Sequence, residues 1–192
     1  LSALRHLPGV AHAESRISAA ALLDVAGIAE PVSARLHSLP PAGAQALNQL
    51  VLRTGRLPAA DQSDEVVASE AFAKAARLSP GDRFSALLHG KRMTLRLTGT
   101  VLSPEYVYAV APGQIFPDNR RHGVLWMNRE ALAAALDLNK AFNEVLLRLS
   151  PSAQPAALIR SLDDLLAPYG ASGAYGRDLQ MSDRFVSNEI DQ

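Results

Sequence analysis

Between Asp64 and Val101 the pattern of hydrophobic and polar positions changes period three times, and each change predicts an element. Glu65-Val-Val-Ala-Ser69 is a short β-branched run suited to a strand. Phe72, Ala73 and Ala76 then fall on one face at helical spacing. Ser69 stands where an N-cap is expected, its hydroxyl placed to accept an orphan backbone N–H of the first turn. Pro80-Gly81 suits the two central positions of a type II turn, with φ preset at the first and positive at the second. Beyond it Phe84, Ala86 and Leu88 alternate with Arg83, Ser85 and Leu87, and His89-Gly90 marks a second turn. Met93, Leu95, Leu97 and Val101 then alternate with Arg92, Thr94, Arg96, Thr98 and Thr100. The stretch reads as strand, helix, turn and hairpin, with one apolar face, as in an antiparallel sheet covered on one side.

The same reading extends in both directions. Leu1–Leu7 resembles the last turns of a helix, ended by Pro8-Gly9, and Val10–Val25 suggests one long strand or a strand with a bulge. Pro31–Leu39 is a second strand candidate, with Val32, Ala34, Leu36 and Ser38 opposite Ser33, Arg35, His37 and Leu39. Pro40–Gly43 is a turn, Leu47–Leu52 a short element of undefined type, and Arg53–Asp61 a loop. From Leu102 to His122 the chain is long, broken by prolines, and holds Tyr106 and Tyr108. A loop of this length is either functional or mobile, and its aromatics suit a contact surface or packing onto a sheet.

Gly123–Met127 is then a buried strand, and Asn128 caps a helix whose staple pairs Met127 with Leu132. Glu144–Leu149 is a strand, and Ser150-Pro151 opens a helix whose apolar stripe is Leu158, Leu162, Leu165 and Leu166. Tyr175 is expected in a last short strand, and Met181–Gln192 at a polar helix start. With both ends resembling interrupted helices, the 192 residues are expected to be a piece of a longer protein.

Bulk properties narrow the function classes. Nineteen basic residues balance nineteen acidic ones, leaving no net field to attract nucleic acid. A hydrophobic fraction of 48% points to a folded chain. Cysteine is absent, so thiolate chemistry and disulfides are excluded. No uncharged apolar run approaches the roughly 20 residues that span a bilayer. His6, His12, His37, His89 and His122 show no helical metal-ligand spacing, and neither a phosphate-binding glycine loop nor a serine nucleophile elbow occurs. Asp163-Asp164 reads as a solvated pair on an amphipathic helix, and Trp126 as core. Arg120-Arg121 suits an acidic partner or a solvated rim. No cofactor or metal is expected, and the chain reads as a non-enzyme.

The Gly55-Arg56 loop, Glu65–Ser69 with its helix, the Leu78-Ser-Pro-Gly-Asp82 turn and the hairpin ending in Leu97-Thr-Gly-Thr-Val101 occur together in one family. They resemble the MacB-like periplasmic core domain of FtsX-like ABC transporter permeases, as does Leu4-Arg-His-Leu-Pro-Gly-Val10, which is similar to the segment after that family's first transmembrane helix. The resemblance implies an α+β fold: a discontinuous α/β, porter-like subdomain from residues 1–52 and 123–192, with a β-rich subdomain inserted at 53–122. It implies an extracytoplasmic location, tethered by flanking membrane helices, and no catalytic residues. The partners implied are a cytoplasmic ATPase subunit, a second permease subunit and a periplasmic protein or lipid cargo, with export of a lipoprotein, lipid, peptide or drug driven by ATP hydrolysis elsewhere. An adaptor that docks a cell-wall enzyme, as some FtsX-type proteins do, is the alternative; a secreted hydrolase is the rival from another class. Tyr106, Tyr108, Phe116, Arg120 and Arg121 are the candidate partner-contact residues.

Overall fold

The computed structural model describes residues 1–40, 47–138, 140–180 and 182–183. The expected turn at Pro40–Gly43 and helix start at Met181–Gln192 lie largely outside them. The described residues form two compact units, Arg16–Glu144 and a unit made of both chain ends, Leu1–Ser15 with Val145–Gln192. The sequence reading placed the insert at 53–122. The larger unit is wider because strands on both sides of that range enter one sheet.

Its strands are β2 (Ser18–Asp24), β3 (Val32–Ser38), β4 (Val51–Gly55), β5 (Glu65–Ser69), β6 (Arg83–Leu88), β7 (Lys91–Leu102) and β8 (His122–Met127). Their order is β4-β7-β5-β8-β3-β2-β6, and β6 pairs in turn with β7, so six of the seven strands close on themselves. β7 makes closure feasible because it is 12 residues long. Residues 91–96 pair with β6, while residues 96–101 pair with β5. A closed sheet leaves no free edge except on the appended β4.

The period-2 pattern fills the barrel. Leu23, Leu36, Phe84, Leu88, Leu95, Leu97, Leu125 and Met127 form one buried cluster with Ala19, Ala21, Ala34, Ala68 and Ala86. The small residues matter, since six strands enclose too narrow a space for large side chains at every position. β5 and β8 run antiparallel, and each leads directly into a helix: α2 (Glu70–Ala76) and α3 (Arg129–Ala135). The helices therefore plug opposite ends, α2 with Phe72 and Ala76, α3 with Leu132. Gly123 leaves room for the plug at the α2 end, where a Cβ would stand 3.0 Å from the Phe72 ring.

Several expectations are corrected. Val10–Val25 is two strands, β1 (Val10–Arg16) and β2, separated at Ile17, whose N–H donates to Ser38 Oγ at 2.9 Å. Arg53–Gly55 belongs to β4 rather than a loop; every residue of that strand is exposed, so it has no apolar alternation to announce it. Val101 does not share a face with Leu95 and Leu97. The register against β5 slips at Thr98, Val66 pairing with Leu97 and Val67 with Gly99, which turns Val101 to the outside of the barrel beside Val67 and Trp126.

The helix starts also differ in detail. Ser69 and Asn128 hold the N-cap positions, but neither side chain makes the capping bond. Ser69 Oγ is buried without a partner among the described residues, and Asn128 Nδ2 instead donates to Ala59 O and Gln62 O at 2.5 and 2.7 Å. The turns after α2 and β6 are as read: Asp82 N donates to Ser79 O at 3.0 Å around Gly81 (φ +107°), and His89 and Gly90 both have positive φ.

In the unit of chain ends, β1 pairs with β9 (Glu144–Leu149). Leu4 of the short helix α1 (Ser2–Arg5) meets Leu158 and Leu162 of α4 (Pro155–Leu166). That helix starts at Pro155, not Pro151; Pro151 lies in a turn closed by Ala153 N donating to Ser150 O at 3.0 Å. Tyr175 is exposed and in no strand, and the preceding Ala174 N–H donates to Asp163 Oδ1 at 2.7 Å.

The segment between β4 and β5 is strapped down by one carboxylate. Glu65, fully buried, accepts both terminal nitrogens of Arg56 at 2.6 Å, the Ala59 N–H at 2.9 Å, and Arg96 Nη2. The Arg56 hydrogen bonds, aided by the Ala59 N–H, outweigh burial and hold its pKa at about 2 against an ordinary 4.5. A depressed carboxylate pKa stabilises the fold fully above 4.5, and that contribution disappears as the pH falls from about 4.5 toward 2. Glu65→Gln is expected to lose about 2 kcal/mol at pH 7. In urea melts the gap between variant and parent should close across that pH window; a gap independent of pH would refute the assignment.

Candidate functional site

Residues 103–121, connecting β7 to β8, hold four of the five contact candidates plus Arg121 at their end, and the structure divides them between an anchored and an exposed part. The anchor begins with Ser103, whose Oγ accepts the Glu105 N–H at 3.2 Å. It turns the Glu105 carboxylate inward to receive Arg16 through two hydrogen bonds, Nη1 to Oε2 at 2.6 Å and Nη2 to Oε1 at 2.5 Å. Asn48 Nδ2 adds a third at 3.0 Å. Arg16 Nε donates to Glu144. The guanidinium is thus shared by two carboxylates from distant parts of the chain, and its buried position is satisfied by charge-assisted bonds. Burial alone would lower its pKa, but the bonds to Glu105 and Glu144 prevail and raise it further.

Next to this clasp, Tyr106 Oη and His37 Nε2 share a 2.6 Å hydrogen bond. Both rings pack on Trp126, each with a centroid separation of 6.1 Å, and the Tyr106–Trp126 pair is edge-on. Val67, Val101, Ala109 and Val124 complete this second hydrophobic cluster on the outside of the barrel. His37 is 1% exposed; burial, with Arg16 and Arg35 nearby, drives its pKa well below 6.5, so the ring is neutral at pH 7. Its Nδ1 has no hydrogen-bond partner among the described residues and lies 3.7 Å from Glu144 Oε2. Burial pushes the Tyr106 hydroxyl well above its ordinary value, with the Glu105 charge adding to the effect.

The exposed part is apolar at its tip. Ile115 and Phe116 are 72% and 73% exposed, and Val107 is exposed as well. Arg121 pairs with Glu30 at 3.2 Å, and Arg120 stands at the edge of a surface cleft. Tyr108 is half-buried. The five candidates therefore do not form one patch: Tyr106 faces the barrel as part of the anchor, while Phe116, Arg120 and Arg121 face outward. Arg16, Glu105 and Glu144 escaped the sequence reading because they are joined only by the fold; Arg16 and Glu144 are 128 positions apart. The one local signal was an arginine directly before the core residue Ile17, in a run otherwise read as strand.

No group of three or more metal-ligating side chains occurs among the described residues. Among those residues, no helix is long and apolar enough to cross a membrane.

No family model and no curated protein matches the sequence. Solved structures do. The extracellular domain of the ABC-type transporter YknZ from Gram-positive bacteria aligns with a TM-score of 0.50 and 14% identity, covering 90% of this chain and 83% of that one. The periplasmic region of MacB from Actinobacillus actinomycetemcomitans gives 0.46 and 17%, covering 100% and 80%. A domain of a permease protein from Porphyromonas gingivalis gives 0.43 and 15%, covering 87% and 74%. The α+β class expected from the sequence is the one found, and the fold is shared with the YknZ extracellular domain.

Proposed function

We propose that this chain is the extracytoplasmic domain of an ABC transporter permease, tethered by membrane helices outside the sequence and moved by ATP hydrolysis in a cytoplasmic subunit. The observation that carries the reading is the fold shared with the YknZ extracellular domain over 90% of the chain. In this reading the domain performs no chemistry. It assembles with a second permease subunit and acts on a periplasmic protein or lipid cargo by rearranging. The clasp suits such a role, because Arg16 and Glu144 are the first and last residues of the barrel unit. Displacement of the chain where it enters or leaves that unit would act on Glu105 through the Arg16 guanidinium, and hence on the loop that carries Ile115 and Phe116.

The encoding reading frame on both sides of Leu1 and Gln192 tests the proposal. Apolar segments of about 20 residues on each flank are expected; soluble flanks would overturn it. With the full permease in hand, Phe116→Ala with Arg121→Ala should impair export while leaving the melting temperature unchanged, and intact export would remove the loop from the mechanism. The exposed Ile115–Phe116 tip also favours a second reading, an FtsX-type adaptor docking a periplasmic or cell-wall enzyme. Retention of such an enzyme by the chain, lost in Phe116→Ala, would distinguish it from transport.

A further inference from the structure

At the barrel end plugged by α2, the β2–β3 loop, the turn between α2 and β6, and Arg120 enclose a surface cleft of about 410 Å³. Ile28, Ala75, Ala76 and Leu78 supply apolar lining, and Arg77, Arg83 and Arg120 supply charge. A second cleft of about 480 Å³, lined by Leu22, Ala29 and Pro31, shares Ile28 and Arg120 with the first. The two together make a trough with an apolar floor, for Ile28 and Leu78 rest on the barrel core. Four arginines, Arg77, Arg83, Arg120 and Arg121, and two acidic residues, Glu30 and Asp82, line the two clefts. The protein has no net charge, so this is a local concentration of positive charge.

The partners of these groups decide what remains for a ligand. Arg121 pairs with Glu30 at 3.2 Å, Arg83 lies 3.6 Å from Asp64, and Asp82 Oδ2 accepts the Ser79 N–H at 2.8 Å. The guanidiniums of Arg77 and Arg120 have no ion-pair or hydrogen-bond partner among the described residues. Arg77 is also the C-cap of α2, at φ +56° and ψ +37°. Glycine is the usual residue in that conformation, so folding alone gives no reason for an arginine there. A planar guanidinium is suited to bind carboxylate or phosphate oxygens through paired hydrogen bonds. An apolar trough flanked by two such groups would exclude water from a hydrocarbon body while its anionic end is held.

We propose that this trough binds a small amphipathic anion, a carboxylate or phosphate carried on an apolar body, with Arg77 and Arg120 as its anion-holding residues. The site is built wholly from residues 16–144 and does not depend on the transport reading. Because position 77 accepts glycine without strain, Arg77→Gly removes one charge at no cost to folding, and Arg120→Ala trims an exposed side chain.

The test titrates the 15N-labelled 192-residue chain with decanoate and with dihexanoyl phosphatidate, both below their micelle concentrations, and maps amide shifts. Inorganic phosphate and neutral octyl glucoside are the controls. Saturable shifts confined to 26–31, 77–83 and 120–121 are expected with at least one anionic amphiphile. Its affinity should fall about tenfold or more in Arg77→Gly/Arg120→Ala while the melting temperature stays within a degree or two of the parent. Preference for decanoate would assign a fatty carboxylate, and preference for phosphatidate a lipid headgroup. Equal binding of inorganic phosphate or octyl glucoside, an undiminished affinity in the double variant, or no shifts at these residues would each overturn the proposal.

Discussion

Phe72→Ala is expected to destabilise the barrel unit by about 3–5 kcal/mol, a large part of the roughly 5–15 kcal/mol that holds an ordinary domain folded. Phe72 is among the largest fully buried side chains and joins α2 to the barrel interior. Its removal forfeits the transfer energy of the ring and leaves a void at a closed end, where six paired strands restrict collapse. Gly123 makes the argument sharper. Gly123→Ala alone would press a methyl against the ring at 3.0 Å and cost about 1–3 kcal/mol by overpacking. In Phe72→Ala/Gly123→Ala that methyl instead occupies vacated space, so the double variant should be more stable than the two losses combined predict. Urea denaturation of the four proteins measures the coupling. Additivity within about 0.5 kcal/mol would show that the ring and Gly123 do not bear on each other.

That contact shows what was legible in the sequence. Phe72, Ala73 and Ala76 announced a buried helix face because helical periodicity is local, and the turns at Gly81 and Gly90 were readable from residues that tolerate positive φ. The α2 plug, the β6–β7 hairpin and the strand-helix-strand-helix order from β8 to α4 all belong to this class. Closure of the barrel was not legible. It depends on β7 being long enough to pair with β6 and β5 in succession, and on the slip at Thr98 that moves Val101 to the outer cluster. Strict alternation assigned Val101 to the wrong face because a bulge leaves no trace in composition. β4 was hidden because an edge strand with all five residues exposed has no apolar period. The clasp was hidden for a related reason: Glu105 lies in a proline-punctuated loop, and only the paired strands bring it to Arg16. Of the contact candidates, Tyr106 shows the limit of reading a tyrosine in a loop as available for contact; its hydroxyl is spent on His37.

The clasp carries the second large expectation. Arg16→Met is expected to cost about 3–5 kcal/mol, because it strands a buried carboxylate rather than because the ion pair itself is strongly stabilising. Arg16 and Glu105 are 6% and 9% exposed, and without the guanidinium Glu105 retains, among the described residues, only Asn48 as a side-chain partner. Glu144 is less affected, being partly open to solvent. If the cost arises from the stranded charge, Arg16→Met/Glu105→Met should recover more than half of it, since two apolar side chains need no partners. Equal instability of the single and double variants would place the cost in lost packing instead. Hydrogen exchange separates the consequences further. In Arg16→Met the amides of residues 105–111 should exchange faster while those of β3 and β5 keep their relative protection, because Glu105 anchors the loop and not the barrel. On the proposed transport role, the same variant in the full permease should uncouple the loop from the points where the chain enters and leaves the unit. ATP hydrolysis would then continue with export reduced, whereas loss of both together would mean that the clasp only maintains the fold.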